Sequence, residues 1–348
     1  MCLRSIRPSL TIRRSLMGGA TFLLRTPAWA GVWIFVLVSG YLAGYGYATG
    51  RYGYTVDGTL RYYKNKIRRV FIPTYVFIFI CWTLGYPGFI IDNPFVLLKF
   101  LTFTYRGAPG VNGIGACWYV FMLGLLYLIT PYVCKVLSKI KKEKVYAIGF
   151  IIIIMAGLVF RLNNYRMGLD WSGRTYASVW GNLDLYLTGV LMAFYRENIK
   201  SHPTVNLKMK ILAVVAFLGL IIVNEWIYNQ ANLIPAISGI GPYWFSYQYL
   251  FPTVYACIVS FYFYVFHEDV SRKQTSLTVQ SICQNPLRCI DWFAGISFEF
   301  YLFHSWILAN FASYIQMETP LATHMWLLGI SATVSIFLSI GFHRVFKN

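Results

Sequence analysis

Nine long apolar runs constrain this chain more than any other feature of its sequence. Each ends at a charge, a proline or a polar cluster, and ~20 apolar residues are the length that an α-helix needs to cross a bilayer. Hydrophobic residues make up 57% of the 348 positions and charged residues 12%, whereas a soluble domain contains about 25% charged residues. Because a backbone in lipid must satisfy its own hydrogen bonds, the runs are predicted to be helices. The sequence therefore predicts an all-α, polytopic transmembrane helix bundle.

The predicted spans are 28–48, 70–88, 117–137, 145–160, 180–195, 209–227, 248–266, 292–313 and 324–343. The fourth and fifth are short for a bilayer and are expected to borrow flanking residues. No polar block of domain size interrupts them, so residues 28–348 are interpreted as one membrane-embedded domain, preceded by an atypical arginine-rich segment at 1–27. The seven cysteines are scattered without a C-x-x-C spacing, which predicts neither a disulfide framework nor a metal site.

Lysine and arginine alternate between rich and poor loops along the chain. Loops 49–69, 138–144, 196–208 and 267–290 are the richer ones, and loops 87–116, 160–179, 228–247 and 314–323 are the poorer ones. The positive-inside rule then predicts a multi-pass plasma-membrane protein with the rich loops and the C-terminus in the cytoplasm. Much of the net charge of +18 is explained by this orientation, so nucleic acid is excluded as a partner. Segment 1–27 is the one exception, since it would lie outside.

The loops that are poor in lysine and arginine contain Trp and Tyr beside Asn, Asp and Arg. An interfacial aromatic belt explains this composition most simply. Carbohydrate binding is the alternative, because sugar rings stack on aromatic side chains while amides bind hydroxyls.

The stretch from Trp29 to Pro73 combines an apolar run with a polar break and a basic cluster. Ser39-Gly40 halfway along the run indicates either close helix packing or a local opening that lines a pathway. Lys66 and Arg69 are three residues apart and are predicted to share a helix face at the cytoplasmic end of the second span. They either anchor the topology or bind an anion such as the phosphates of a nucleotide-like donor. The second alternative is favoured by the helix dipole, because basic residues in a first helical turn oppose the dipole and a bound anion would offset that repulsion.

Glu299, His304 and Asp184 are ionisable residues inside predicted apolar spans. Glu299 and His304 share the eighth span, and ionisable groups at that depth usually face a bundle interior or a water-filled cavity. Tyr301 is predicted on the same face as His304, whereas Glu299 is about 140° away and does not simply pair with it. His304 is either a packing residue or a functional one. Asp184 is interpreted as a polar link between helices.

Four segments, in this order, resemble acyltransferase family 3, the bacterial integral-membrane O-acyltransferases that decorate surface polysaccharides. They are V-W-I-F-V-L-V-S-G-Y-L, K-I-R-R-V-F-I-P-T-Y, C-W-Y-V-F-M-L-G-L-L-Y-L-I-T-P and I-S-F-E-F-Y-L-F-H-S-W-I, and the resemblance covers about residues 28–345. It implies transfer of an acyl group, usually acetyl, from cytoplasmic acyl-CoA to a sugar hydroxyl of a surface or lipid-linked glycan, without a metal. It also implies one helix more than the nine predicted here.

The resemblance carries over to particular residues. The family's aromatic-Ser-Gly element matches Phe35, Ser39 and Gly40. Its paired basic residues before a proline match Lys66 and Arg69, with Arg68 as a shifted alternative. Its Tyr-Leu-x-His element matches Tyr301, Leu302 and His304. The first three, with Trp118, Tyr119 and Tyr301, are expected to line the substrate pathway. The basic residues are expected to bind the CoA phosphates, and His304 and Glu299 are the candidate catalytic groups.

The family's first helix, which carries a basic residue and then a histidine, has no counterpart in residues 1–27, where histidine is absent. We expect the DNA upstream of Met1 to encode that helix, and its restoration to give activity. If the 348-residue chain transfers acyl groups alone, His304 becomes the leading base. A flippase of a lipid-linked sugar and an inactive truncated family member are the alternative functions.

Overall fold

The computed structural model describes residues 28–85, 117–169, 171–199, 206–233, 242–266, 296–304, 306–307, 329–330 and 332–342, with isolated positions between 95 and 102. These ranges are predominantly helical and contain no strand. Five of their helices are long and apolar enough to cross a membrane. The prediction of an all-α transmembrane bundle is therefore confirmed. The predicted segment 1–27 and most of loops 87–116 and 267–290 lie outside the described residues.

The helices follow in order as α1 (Ala28–Ala48), α2 (Val56–Lys66), α3 (Ile72–Gly85), α4 (Trp118–Leu137), α5 (Glu143–Arg166), α6 (Val179–Asn198), α7 (Leu207–Leu233), α8 (Pro242–Phe245) and α9 (Phe251–Val265). Residues 296–304 form α10, and Ala332–Phe342 form α11. π-Helical turns occupy Ile67–Phe71, Trp171–Tyr176 and Ser246–Leu250. As predicted, the fourth and fifth spans borrow flanking residues, which extends α5 and α6 at both ends.

Helices α1 and α6 form the most extensive contact in the bundle. A methyl group added at Gly40 would overlap the backbone carbonyl of Tyr186, and one at Gly189 would overlap that of Leu37. Small residues allow membrane helices to approach backbone to backbone in this way. Gly40 therefore serves close helix packing, and this packing fixes the position of the neighbouring Ser39.

The predicted basic loop at 49–69 contains a helix that the sequence analysis did not anticipate. Helix α2 begins after Thr55, whose Oγ1 accepts a hydrogen bond of 3.2 Å from the Gly58 N–H. Asp57 lies in its first turn, where a negative charge is favourable. The helix was missed because its residues are polar and its length is short, although Thr followed by an acid is a readable start signal.

Helix α2, the π-helical turn Ile67–Phe71 and α3 follow one another without a break and run antiparallel to α4. The Tyr63 hydroxyl donates a hydrogen bond of 2.8 Å to the Leu128 carbonyl, and the rings of Tyr75 and Phe121 lie 6.1 Å apart. Residue numbers therefore rise along one helix as they fall along the other. The basic residues at 66–69 consequently lie beside the middle of α4, deeper in the bundle than the predicted cytoplasmic end.

Arg161, predicted in a loop, lies instead inside α5 and is fully buried. Its guanidinium donates to both carboxylate oxygens of Asp184 on α6, at 3.0 and 2.6 Å, and to the Thr253 hydroxyl on α9 at 2.8 Å. A buried charge is tolerated when it is paired and hydrogen-bonded in this way. The interpretation of Asp184 as a polar link between helices is thus confirmed. Because Arg161 belongs to α5, loop 160–179 has one positive residue fewer than predicted, and the alternation of rich and poor loops becomes clearer.

Exposed lysines cluster at one end of the bundle, around the junction of α4 and α5. These are Lys135, Lys139, Lys141, Lys142 and Lys144. They flank the end of α4 and the start of α5, and this face is called the lysine-rich end below.

Candidate active site

The three basic residues predicted to bind the donor occupy different environments. Lys66 is half-buried, with its Nζ 4.1 Å from the centroid of the Tyr127 ring, whereas Arg68 and Arg69 are exposed. A π-helical turn starts at Ile67, between Lys66 and Arg69, and it widens the helix and alters its periodicity. Arg69 and Arg51 nevertheless remain within electrostatic range of Lys66.

No carboxylate neutralises this basic cluster in the part of the chain that the structure describes. The ion pairs found there are Arg161–Asp184 and Arg196–Glu197, and neither includes a residue of the cluster. Tyr127 lies ten residues before the end of α4, which corresponds to about 15 Å of helix rise. Positive charge at such a depth without an acid is suited to an anionic ligand.

A row of aromatic and hydroxyl side chains leads from Lys66 to His304. Ser39 lies close to the Tyr127 hydroxyl, and its Oγ lies 3.2 Å from the Tyr119 hydroxyl. The Tyr119 ring is 5.2 Å from that of Tyr301, which is 5.5 Å from the His304 ring. We call Tyr127, Ser39, Tyr119 and Tyr301 the aromatic column. It brings together residues of α1, α4 and α10 that are far apart in the sequence.

The imidazole of His304 is fixed by its own helix. Nδ1 lies 2.6 Å from the Tyr301 carbonyl oxygen and 3.3 Å from that of Phe300. Because a carbonyl oxygen can only accept, Nδ1 must carry the hydrogen. Nε2 of the neutral ring is then the nitrogen with the lone pair, which is the state that a general base requires.

The other residues predicted for the pathway lie around the column. Phe35 contacts Tyr301 edge to face at 6.2 Å. Trp118 lies at the start of α4, with its ring 6.2 Å from that of Tyr119 and 4.9 Å from that of Tyr176. Tyr119 is buried, so it faces the bundle interior. Trp118 is only half-buried, so these two neighbours lie in different environments.

Glu299 lies on the same helix as His304. It is buried on α10, and its position five residues before His304 places it on a different part of the helix surface. In the described ranges, no group of His, Cys, Asp and Glu is arranged to hold a metal ion. The column provides hydroxyl groups, with the His304 imidazole at one end and the basic cluster at the other.

Tyr127 lies between the basic cluster and Ser39, but no motif in the sequence pointed to it. Its signal was available, since Tyr119 and Tyr127 are eight residues apart in an otherwise apolar helix and therefore lie near the same face. The contact between Tyr127 and Lys66 was not predictable, because it depends on how α2 and α4 pack.

The fold and the column define a polytopic membrane protein with hydroxyl-bearing side chains in contact in its interior. Over residues 19–344 the chain matches the family described as an acyltransferase domain, and it belongs to acyltransferase family 3. Membership identifies it as a membrane acyltransferase in general, with an acyl donor, an acceptor and the bilayer as its partners. No curated protein and no solved structure matches the chain.

Proposed function

We propose that this protein transfers an acyl group, in the first instance acetyl, from acyl-CoA to a sugar hydroxyl of a cell-surface or lipid-linked glycan. The observation that supports the proposal is the aromatic column, which joins a basic cluster that has no ion-pair partner among the described residues to a histidine whose Nδ1 carries the hydrogen. Each part corresponds to one requirement of acyl transfer from a CoA thioester.

The donor end is the basic cluster. CoA carries several phosphates, and Lys and Arg bind phosphate through charge-assisted hydrogen bonds. The exposed Arg68 and Arg69 would meet these phosphates, while the half-buried Lys66 marks where the route enters the bundle. From Tyr127 to Tyr119 the column covers eight residues of α4, or about 12 Å. The extended pantetheine arm of CoA suits such a narrow route.

His304 would act as the base at the other end of the column. Its Nε2 would take the proton as the sugar oxygen attacks the thioester carbonyl. The carbon–sulfur bond would then break, and the departing CoA thiolate would receive that proton. The Tyr119 hydroxyl, which Ser39 positions at 3.2 Å, is a candidate donor to the oxyanion that forms in between. Glu299 has no assigned step in this scheme.

The lysine-rich end defines the direction of transfer in this proposal. Positive loops remain in the cytoplasm, which is where acyl-CoA is made. The acceptor would then meet the column from the opposite side, near Trp118 and Tyr176. We infer a multi-pass protein of the bacterial plasma membrane with a cytoplasmic C-terminus.

Membranes containing the protein, incubated with radiolabelled acetyl-CoA and a glycan extract, test this function. The proposal predicts label in the glycan that alkali releases, because the new bond is an ester. Movement of a lipid-linked sugar across vesicles without label transfer would indicate a flippase instead. Neither transfer nor movement would indicate an inactive family member.

A further inference from the structure

A cleft of about 400 Å³ lies on the outside of the bundle, away from the aromatic column. Helices α5, α6 and α9 form its walls, and Phe150, Leu191 and Phe261 line its interior. Its volume falls within the range of small-molecule sites, about 300 to 1,000 Å³. The cleft is therefore large enough for a ligand and is separate from the proposed catalytic route.

The cleft opens on a surface that is itself apolar. Ile151 and Cys257 line it and are exposed. The neighbouring exposed residues of α5 include Ile148, Ile152 and Met155. A surface of this composition on a membrane-spanning helix faces the lipid chains. The occupant must consequently come from the bilayer and be apolar where it enters.

One end of the cleft is polar and reaches the lysine-rich end. Glu143, the first residue of α5, accepts a hydrogen bond of 3.0 Å from the Tyr195 hydroxyl, and both residues line the cleft with Tyr264. Exposed Lys142 and Lys144 flank Glu143 in the sequence, so its single negative charge is outweighed.

A further lysine contacts the C-terminal end of α9, the helix whose Tyr264 lines this mouth. Lys210, near the start of α7, places its Nζ 5.7 Å from the centroid of the Phe266 ring, and Phe266 follows the end of α9. Basic sites between membrane helices at the cytoplasmic face bind anionic headgroups. The cleft thus combines an apolar channel with a cationic entrance.

We propose that the cleft holds one acyl chain of an anionic phospholipid, with the lipid phosphate at the lysines around Glu143. A zwitterionic lipid offers the same chains but no net charge for these lysines. The proposal therefore predicts selection by headgroup, and it is independent of the acyl-transfer reaction.

Native mass spectrometry of the detergent-purified protein tests this site with phosphatidylglycerol and phosphatidylcholine of identical chains. The wild type should retain phosphatidylglycerol at least about tenfold better. Ala147→Trp, which fills the cleft, should abolish that preference, whereas Ala156→Trp on an exposed part of the same helix outside the cleft should keep it. Lys142→Gln with Lys144→Gln should reduce the preference several-fold.

Equal retention of the two lipids by the wild type would overturn the proposal, as would an unchanged preference in Ala147→Trp. If the tryptophan variant does not fold, Cys257 in the wild-type protein gives a second reading. Phosphatidylglycerol should slow its alkylation by a lipid-soluble maleimide several-fold more than phosphatidylcholine does, because the chain covers the thiol. Equal alkylation rates in the two lipids would also overturn the proposal.

Discussion

Among single residues, those of the basic cluster are distinguished by having no ion-pair partner in the described part of the chain. The described residues give Lys66, Arg68 and Arg69 no ion-pair partner, while Lys66 rests on an aromatic ring beside the middle of α4. A topology anchor would need only to reach the interface. This depth favours a ligand-binding role for the cluster.

Arg69→Glu should abolish acyl-CoA binding while the protein remains inserted in the membrane. Each hydrogen bond between a charged side chain and phosphate contributes about 1.5–3 kcal/mol, and reversing the charge adds repulsion. Lys66→Arg should be mild by comparison, because it keeps the charge. Equilibrium binding of a fluorescent CoA derivative measures both effects, with Lys139→Glu, an exposed change outside the cluster, as the control. Normal CoA binding by the Arg69→Glu protein would reduce the cluster to a topology anchor.

Among the helices, two contacts hold parts of the bundle together. The close approach of α1 and α6 positions Ser39, and the buried Arg161–Asp184 pair ties α5 to α6. Both contacts are sensitive to single substitutions, for different physical reasons.

Gly40→Ala should lower the stability of the protein, because its methyl group would meet the Tyr186 backbone. Overpacking of this kind costs about 1–3 kcal/mol. Gly31→Ala in the same helix is the matched control, since nothing lies within 4 Å of the added carbon. Thermal unfolding in detergent should show a lower midpoint for the first variant only. Equal midpoints would mean that α1 and α6 are not in close contact.

Asp184→Asn should destabilise the protein by about 3–5 kcal/mol, because it leaves the Arg161 charge buried without its counter-ion. The double variant Arg161→Met, Asp184→Leu should be less destabilised than Asp184→Asn, since it removes both charges. The same unfolding measurement compares the two. A double variant that is less stable than the single one would show that the pair contributes more than charge compensation.

The sequence predicted some of these helices well and others poorly. Helix α1 matches its predicted span of 28–48, because an unbroken apolar run is sufficient to define it. Helix α2 was missed because it is polar, and the π-helical turn after it has no local signal. Arg161 was assigned to a loop because its partner Asp184 is 23 residues away and the pairing exists only in the packed bundle.

The candidate site was likewise predicted in part from the sequence. Ser39, Tyr119, Tyr301 and His304 were named from motifs, and the structure brings them together. The link through Tyr127 and the tautomer of His304 depend on packing and on backbone carbonyls, which a sequence pattern does not encode.

At the scale of the whole molecule, the lysine-rich end defines the orientation. Helix α5 has 24 residues and is therefore about 36 Å long, enough to cross the bilayer. Its first residue lies among lysines, and its C-terminal end is followed by a loop poorer in charge. The two ends of this one helix should lie on opposite sides of the membrane.

Single cysteines placed at the two ends of α5 test the orientation in intact cells. A membrane-impermeant maleimide should label Met167→Cys and miss Lys141→Cys, with all seven native cysteines replaced by Ser in both proteins. Permeabilised cells should label both. The reverse pattern in intact cells would place the basic cluster on the side opposite to acyl-CoA.

The acyl group is proposed to pass along the aromatic column to a base at His304. His304→Asn tests it most directly, because the shorter amide can still donate to the Tyr301 carbonyl but cannot accept a proton. Acyl transfer to glycan and acyl-CoA binding are measured side by side on the wild-type and variant proteins. We predict that the wild type transfers label and that the variant binds acyl-CoA normally but transfers at least about 100-fold more slowly. A variant as active as the wild type, or a wild type that binds acyl-CoA without transferring it, would contradict the account.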